Sequence, residues 1–427
     1  MDKLFNEALE AFNNGNIKKS INLYENILKK QPDKEVVLNN LAYAYFLIDD
    51  YKKSEKFILK SIEKNSSNPY LYYNLGNLYK RTNNLDKALS NYNKAISIDP
   101  KNYDFLYNKG YILLKQKKYN IAWDFFENRI KTNIFQDVFS KKIESQLLKN
   151  KSLLKILNNN KLNKLAIISE QGLGDQILFG SMFKDLIKIN TKIKIIINKR
   201  LINIFTRSFK DFEFIDNSDS SKIDQLITEN YKFIYAGSLG QYFRRSITDF
   251  SGKSFLKVDS QKVKKYKSFL TKQGFKKYVG ISWKSFTKNH GDKSLKLSDL
   301  STLLKIDDVG FINLQYGDIS KDIKESGFKE KIINISDLDL YNEIDDVIAL
   351  IKCLDLVVTT PNVNVHFAGA IGKSCMVLSP LYNEVFMYSD LNDGKCEWYK
   401  NQKTMVIENN LEKKIEIIIQ ELNLNKF

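Results

Sequence analysis

Arginine, cysteine and histidine are scarce in this chain, and its uninterrupted apolar runs are short. No apolar stretch approaches the roughly 18 to 20 residues that a bilayer crossing needs, and the N-terminal MDKLFNEALEAF carries acids with no signal-like apolar core. A soluble, cytoplasmic protein without a transmembrane segment is therefore expected. Cys353, Cys375 and Cys396 lie well apart and form no C-x-x-C pair, which argues against both a disulfide framework and a zinc site. Only six of the 67 basic residues are arginines, at 81, 129, 200, 207, 244 and 245. A formal charge of +17 ordinarily suggests nucleic acid or an anionic membrane, yet the lysines are spread along the whole chain. With no clustered basic stripe and no recognition motif, nucleic acid is not an expected partner. The joint abundance of Lys, Asn and Ile reads as codon bias, while the diffuse positive field still favours anionic substrates. What is present is a globular composition, 43% hydrophobic and 12% aromatic over 427 residues, long enough for two or three domains.

A period of 34 residues runs through the first third. Ala8, Ala42, Gly76 and Gly110 share one phase; Ser20, Ser54, Ala88 and Ala122 share a second; Tyr24, Ile58, Tyr92 and Phe126 share a third. Small residues at two fixed phases let paired helices approach closely, and the large apolar ones fill the space between them. The clearest unit, YLYYNLGNLYKRTNNLDKALSNYNKAISIDP, resembles the tetratricopeptide repeat: Leu75, Gly76, Tyr79, Ala88, Tyr92, Ala95 and Pro100 stand at that family's signature phases. Four units over residues 1–137 imply a short right-handed superhelix whose concave groove takes a protein partner.

The periodicity changes after AWDFFENRI and a polar, Lys- and Asn-rich stretch, read as a linker helix region over 138–163. Candidate strands follow at 164–169, 192–197, 212–215 and 232–237, with helix-length segments such as 175–189 and 222–229 between them. A second series runs at 278–283, 309–315, 355–360, 374–379 and 404–409. Such alternation implies parallel, doubly wound sheets, in two halves at 164–262 and 263–427 that enclose a cleft. Ligands bind such sheets beyond the carboxyl ends of the strands. The distinctive residues lie there: Gly172–Asp175 after the first strand, Trp283 and Lys284 after YVGIS, Gln315 and Tyr316 after FINL, and Pro361–His366 after DLVVTT. In EQGLGDQILFG (170–180), Gly172 and Gly174 permit a tight path and close approach of a ligand, and Asp175 falls in the first turn of a helix. The same acid could simply complement the helix dipole.

EQGLGDQILFGSMFKDL, GSLGQYFR (237–244), VGISWKS (279–285), INLQYGD (312–318) and VNVHFAGAIGK (363–373) together resemble the motif series of a bacterial family. In it, tetratricopeptide repeats precede a GT-B glycosyltransferase module related to the lipopolysaccharide heptosyltransferases of glycosyltransferase family 9, and more distantly to the repeat-bearing O-linked N-acetylglucosamine transferases. The resemblance implies an α + α/β chain of two Rossmann-like halves behind the repeats. It also implies inverting, metal-independent transfer of a sugar from a nucleotide-diphosphate sugar, the donor substrate, to a protein or glycan acceptor. No cofactor is implied, and the repeats would recruit the acceptor or a partner. The rival expectation is a non-catalytic repeat scaffold whose module has lost donor binding.

By the same resemblance Asp175 is the catalytic base, with Glu170 as the alternative. Gly172, Gly174, Lys284, Lys293, Gln315, Tyr316, Asn362, Val363, Asn364 and His366 form the nucleotide-sugar-binding set. In DLVVTTPNVNVHFAGA, Pro361 is read as the first helical residue, and free N–H groups around Val363–Val365 would face an anion. Asn362 and Asn364 would add side-chain donors, and Lys284 and Lys293 would neutralise the diphosphate. Gln315 and Tyr316 would border the nucleotide base, and Arg244 and Arg245 the acceptor. His366, one of two histidines beside His290, is either a site residue or a satisfied, partly buried one. Two departures stand out. Pro361-Asn362-Val363-Asn364 replaces the D-T-G, S-N-T-T or D-N-S-T of relatives, and SPLYNEVFMYSD (379–390) replaces P-D-W-R-W, while Trp398 and Tyr399 keep the later W-Y pair.

Overall fold

A computed structural model describes residues 2–132, 135, 140–148, 163–187, 189, 192–285, 293–380, 394, 396–407 and 410–423, in two compact units, Met1–Phe135 and Gln136–Phe427. The first unit is four helix pairs: α1 (Asp2–Asn13), α2 (Ile17–Lys30), α3 (Glu35–Leu47), α4 (Tyr51–Lys64), α5 (Pro69–Arg81), α6 (Leu85–Ile98), α7 (Tyr103–Lys115) and α8 (Tyr119–Phe126). The turn inside each pair repeats as faithfully as the helices do. Gly15, Asp49, Asn83 and Lys117 all have positive φ, the left-handed residue that ends a helix. The next residue caps the following helix: Asn16, Asp50 and Asn84 each accept from a backbone N–H three residues on. In the fourth pair Lys118 offers no side-chain cap, and backbone hydrogen bonds close that turn, with the Lys118 N–H donating to Leu113 O at 2.9 Å. Close approach explains the two glycines of the small-residue phase. A Cβ on Gly76 would stand 2.6 Å from the Tyr92 ring, and one on Gly110 2.3 Å from the Phe126 nitrogen.

The second unit contains two parallel sheets. β1 (Lys164–Ile168), β2 (Lys192–Ile197), β3 (Glu213–Asp216) and β4 (Lys232–Tyr235) lie in the order β3-β2-β1-β4. β5 (Lys277–Ser282), β6 (Val309–Asn313), β7 (Ile332–Ile333), β8 (Leu356–Thr359), β9 (Cys375–Pro380) and β10 (Gln402–Ile407) lie in the order β10-β9-β8-β5-β6-β7. Counted from β5, the second order is the 3-2-1-4-5-6 of dinucleotide-binding sheets, and its direction reverses between β5 and β8. The first sheet reverses between β1 and β4. Ile167 pairs with Ile195 on one side and Ile234 on the other, and Ile281 with Asn313 and Val358. These central strands are buried on both faces, as their continuous apolar runs require. Two Rossmann-like parallel sheets thus follow the repeats in one unit, as the two expected halves require.

Of the stretch 138–163, the described residues give one helical turn, Ser140–Ile143, and a strand-like segment. Leu147 bridges Phe233 in parallel, the Leu148 N–H donates to Phe233 O at 2.8 Å and the Phe233 N–H to Gln146 O at 3.0 Å. This segment therefore covers the open edge of β4. Among the described residues no helix is long and apolar enough to cross a membrane.

Candidate functional site

Each reversal of strand order leaves a crevice, and a helix starts beside each. Helix α9 (Leu173–Gly180) follows β1. Helices α10 (Ile202–Ser208) and α11 (Ile344–Cys353) lie further along, and α12 (Val363–Ala370) follows β8. The starts of α9 and α12 touch: a Cβ on Gly174 would stand 2.7 Å from His366 Cδ2 and 2.8 Å from Nε2. Gly174 is thus small because the imidazole occupies the space a side chain would take, whereas Gly172 has only Asp175 Oδ2 near its missing Cβ, at 3.4 Å.

The two carboxylates after β1 have separate positions. Glu170 is buried, and its Oε1 accepts from the Gly237 N–H at 2.8 Å, which ties the tip of β1 to the segment after β4. Asp175 is half-buried in the first turn of α9, where Oδ2 accepts from the Gly172 N–H at 3.2 Å. It caps its own helix while standing beside the crevice.

Around β5 and β8, side chains expected to meet a ligand hold the strand tips together. Gln315 Oε1 accepts from Ser282 Oγ (3.0 Å) and from the Trp283 and Lys284 N–H groups (3.1 and 2.7 Å). Lys284 Nζ donates to Asp322 Oδ1 at 2.7 Å, so its charge is already balanced. The helix start differs from the expected one: Asn362 is the cap and Val363 the first helical residue, which leaves Pro361 before the helix. The cap forms because Asn362 Oδ1 accepts from the Asn364 N–H (3.0 Å) and Thr359 Oγ1 (3.1 Å), while its Nδ2 donates to Ser282 Oγ (2.8 Å). Asn364 is buried and donates from Nδ2 to Leu314 O at 3.1 Å. The Val363 N–H meets no acceptor among the described residues.

His366 is buried, with Nδ1 3.1 Å from Tyr399 Oη. Burial, with the charge of Lys293 adding to it, pushes its pKa down to about 3, so the ring is neutral. Lys293 is itself 6% exposed, a cation carried into the interior beside the helix contact. Glycine loop, histidine and lysine are therefore brought together. Residues 286–292, with His290, and residues 381–390 of the SPLYNEVFMYSD segment lie outside the described residues.

Tyr316 lines a cavity of about 240 Å³ with Asn313, Asn334, Leu338 and Tyr341. Its ring centroid is 5.7 Å from that of Tyr341. From the first half, Arg200 reaches the same rim: Nη1 donates to Tyr341 O at 3.0 Å, and the guanidinium lies 4.4 Å from the ring centroid. Sequence reasoning passed over Arg200, Asp322 and Tyr341. For Arg200 a signal existed, since it is one of six arginines and follows a strand tip. Arg244, expected near an acceptor, is buried in an ion pair with Asp185 at 2.8 Å and lies 5.6 Å from the Phe250 ring centroid, so it ties the segment after β4 to the helical turn Phe183–Leu186. Among the described residues no group of three or more His, Cys, Asp or Glu could hold a metal ion.

Comparison with known proteins gives three kinds of likeness. Tetratricopeptide repeat family models match residues 5–69, 69–102 and 91–124. Protein FlbA of Caulobacter vibrioides is 28% identical over 265 residues, which cover 57% of this chain and 43% of FlbA; the chain thus spans less than half the length of that relative. Among solved structures, ADP-heptose lps heptosyltransferase II of E. coli covers 61% of this chain and 98% of its own, at 11% identity and a TM-score of 0.46. MamA from Desulfovibrio magneticus covers 32% of this chain and 77% of its own, at 18% identity and a TM-score of 0.30. The helix pairs of the first unit are tetratricopeptide repeats, and a parallel-sheet α/β module follows them.

Proposed function

We propose that the α/β unit is a glycosyltransferase module that moves a sugar from a nucleotide-diphosphate sugar to a protein or glycan acceptor in the cytoplasm. The transfer is inverting and metal-independent, and the repeats recruit the acceptor or a partner. The contact between Gly174 and His366 carries this reading. It sets an acid from one sheet's crevice beside an amide-bearing helix start from the other, and strand-order reversals are where such sheets bind ligands.

In this reading Asp175 takes the proton from the acceptor hydroxyl as the sugar transfers. The Val363 N–H and the charge of Lys293 meet the negative charge that grows on the leaving diphosphate, donors fixed in place before the reaction. The cavity beside Tyr316 holds the nucleoside, and its volume suits part of a donor rather than the whole. The rival reading, a repeat scaffold without donor binding, draws on the engagement of Asn362, Asn364 and Lys284 within the protein. Calorimetric titration of the full chain with nucleoside diphosphates separates the two. Saturable micromolar binding, weakened about 10- to 100-fold in Lys293→Ala by loss of a charged partner, supports the enzyme. Absence of binding to every nucleotide supports the scaffold.

A further inference from the structure

Two contacts join α10 and the turn before it to the region around α11, and they differ in what lies next to them. At one end is Arg200, at the rim of the cavity. At the other is Arg207, whose Nη1 donates to Asp345 Oδ2 at 3.2 Å and whose Nε donates to Lys257 O at 2.8 Å, and neither Arg207 nor these partners line the Tyr316 cavity. Arg200 also has a connection that Arg207 lacks. Its backbone N–H and its Nε both donate to Asn198 Oδ1 at 3.1 Å. The Asn198 N–H donates to Gln176 Oε1 at 3.0 Å, and Gln176 Nε2 donates to Gln171 O at 3.2 Å. Gln176 is buried in α9, adjacent to Asp175, and Gln171 is the positive-φ residue that opens the glycine loop. A continuous series of hydrogen bonds therefore runs from the loop that sets Asp175 to the rim of the Tyr316 cavity.

We infer that Arg200 is a positioning residue that couples filling of this cavity to the setting of the Asp175 loop. The inference rests on the reading of the cavity as a nucleoside site. Tyr341 is 53% exposed, and a guanidinium over an exposed ring is held weakly, because water competes for both; the contact strengthens when they are desolvated. A planar base seated against Tyr316 and Tyr341 removes that water. Arg200 is then gripped between Tyr341 and Asn198, and through Asn198 and Gln176 the loop at 171–175 is fixed. Coupling of this kind is reciprocal, so loosening Arg200 weakens nucleotide binding as well. A lysine cannot replace it, because only the guanidinium offers one edge to Asn198 and another to Tyr341.

The test uses the full chain with ADP, UDP, GDP and CDP, measuring affinity by calorimetry and hydrogen exchange in peptides covering 171–180 and 334–341. In the wild type, the diphosphate that binds slows exchange in both peptides. In Arg200→Ala and Arg200→Lys, Kd rises about 5- to 10-fold; protection persists at 334–341 and is lost at 171–180. Arg207→Ala lowers the thermal midpoint but leaves Kd and both protections unchanged. Arg200→Ala with wild-type affinity and wild-type protection at 171–180 overturns the coupling while leaving the nucleotide reading intact. So does Arg207→Ala that reproduces the losses of Arg200→Ala, because the junction would then act only as structure. A wild-type protein that binds none of the diphosphates removes the nucleotide reading and this inference with it.

Discussion

The two crevices are furnished with opposite kinds of group. Beside β1 and β4 stand carboxylates, Glu170 and Asp175, each accepting from a backbone N–H. Beside β5 and β8 stand amide side chains, a helix-start N–H, a neutral imidazole and a buried ammonium. In the proposed function the first side would accept a proton and the second would meet an anion. Each set has its place because strand order reverses there, which opens a gap that backbone groups alone do not fill. Under the proposed function this asymmetry would be a division of labour, with the proton transfer set by Asp175 of the first half and the charge of the donor met mainly from the second.

Asp175→Asn is the most severe test of that division. The amide keeps an oxygen for the Gly172 N–H, so the helix start survives while the basic group is lost. Transfer from the donor selected by the nucleotide titration is expected to slow by about 10²- to 10⁴-fold, the usual range for a general base, with nucleotide Kd close to wild type. Lys293→Ala is its mirror, with affinity lost first. If both variants lose rate and affinity in equal proportion, the two crevices do not divide the work.

Gly174→Ala probes the contact between the halves with a smaller expected effect. The new methyl would overlap the buried His366 ring, and overpacking of this kind costs about 1–3 kcal/mol. Gly172→Ala is the comparison, since Gly172 has an extended backbone (φ −74°) and its Cβ would meet only Asp175 Oδ2, at an ordinary 3.4 Å. Chemical denaturation should therefore find Gly174→Ala markedly less stable than Gly172→Ala. Equal stability would mean that the glycine loop does not bear on the histidine.

How much of this was legible beforehand depended on whether the cause was local. The repeats were readable because the small and large apolar residues between paired helices recur with the sequence period; the turn recurs with them, with positive φ at Gly15, Asp49, Asn83 and Lys117, although the cap fails in the fourth pair. Nine of the ten strands among the described residues were readable as apolar runs, whereas β7, with two residues, is too short to show any pattern. The tips that carry Asp175, Lys284, Gln315 and Asn362 were also legible. What their side chains do was not. Strand and helix ends leave backbone groups without partners, and Gln315 and Asn362 satisfy or brace those ends before any ligand arrives. The meeting of Arg200 with Tyr341 spans 141 positions and follows only from how the two sheets pack, so no local motif marks it.

His366 gives the smallest and most specific test, because its neutrality is what separates the donor side from a crevice with a second buried positive charge. The ring is enclosed by Gly174 and Tyr399, and the charge of Lys293 acts on it. Its folded pKa of about 3 lies below the ordinary histidine value of about 6.5. The unfolded chain therefore takes up a proton as pH falls through that ordinary value, while the folded protein does not until near the lower one. Stability from this residue is complete above the unfolded pKa and is lost as pH falls towards the folded one, by up to about 1.4 kcal/mol per pH unit. His366→Gln removes the titration and keeps a polar group for Tyr399. Between about pH 7.5 and pH 5, the wild type should lose about 2 kcal/mol more than the variant in denaturant unfolding. Parallel pH profiles would show that the imidazole titrates in the folded protein as it does in the unfolded chain, and the contrast between an acid-bearing crevice and a donor side held neutral at its centre would have to be abandoned.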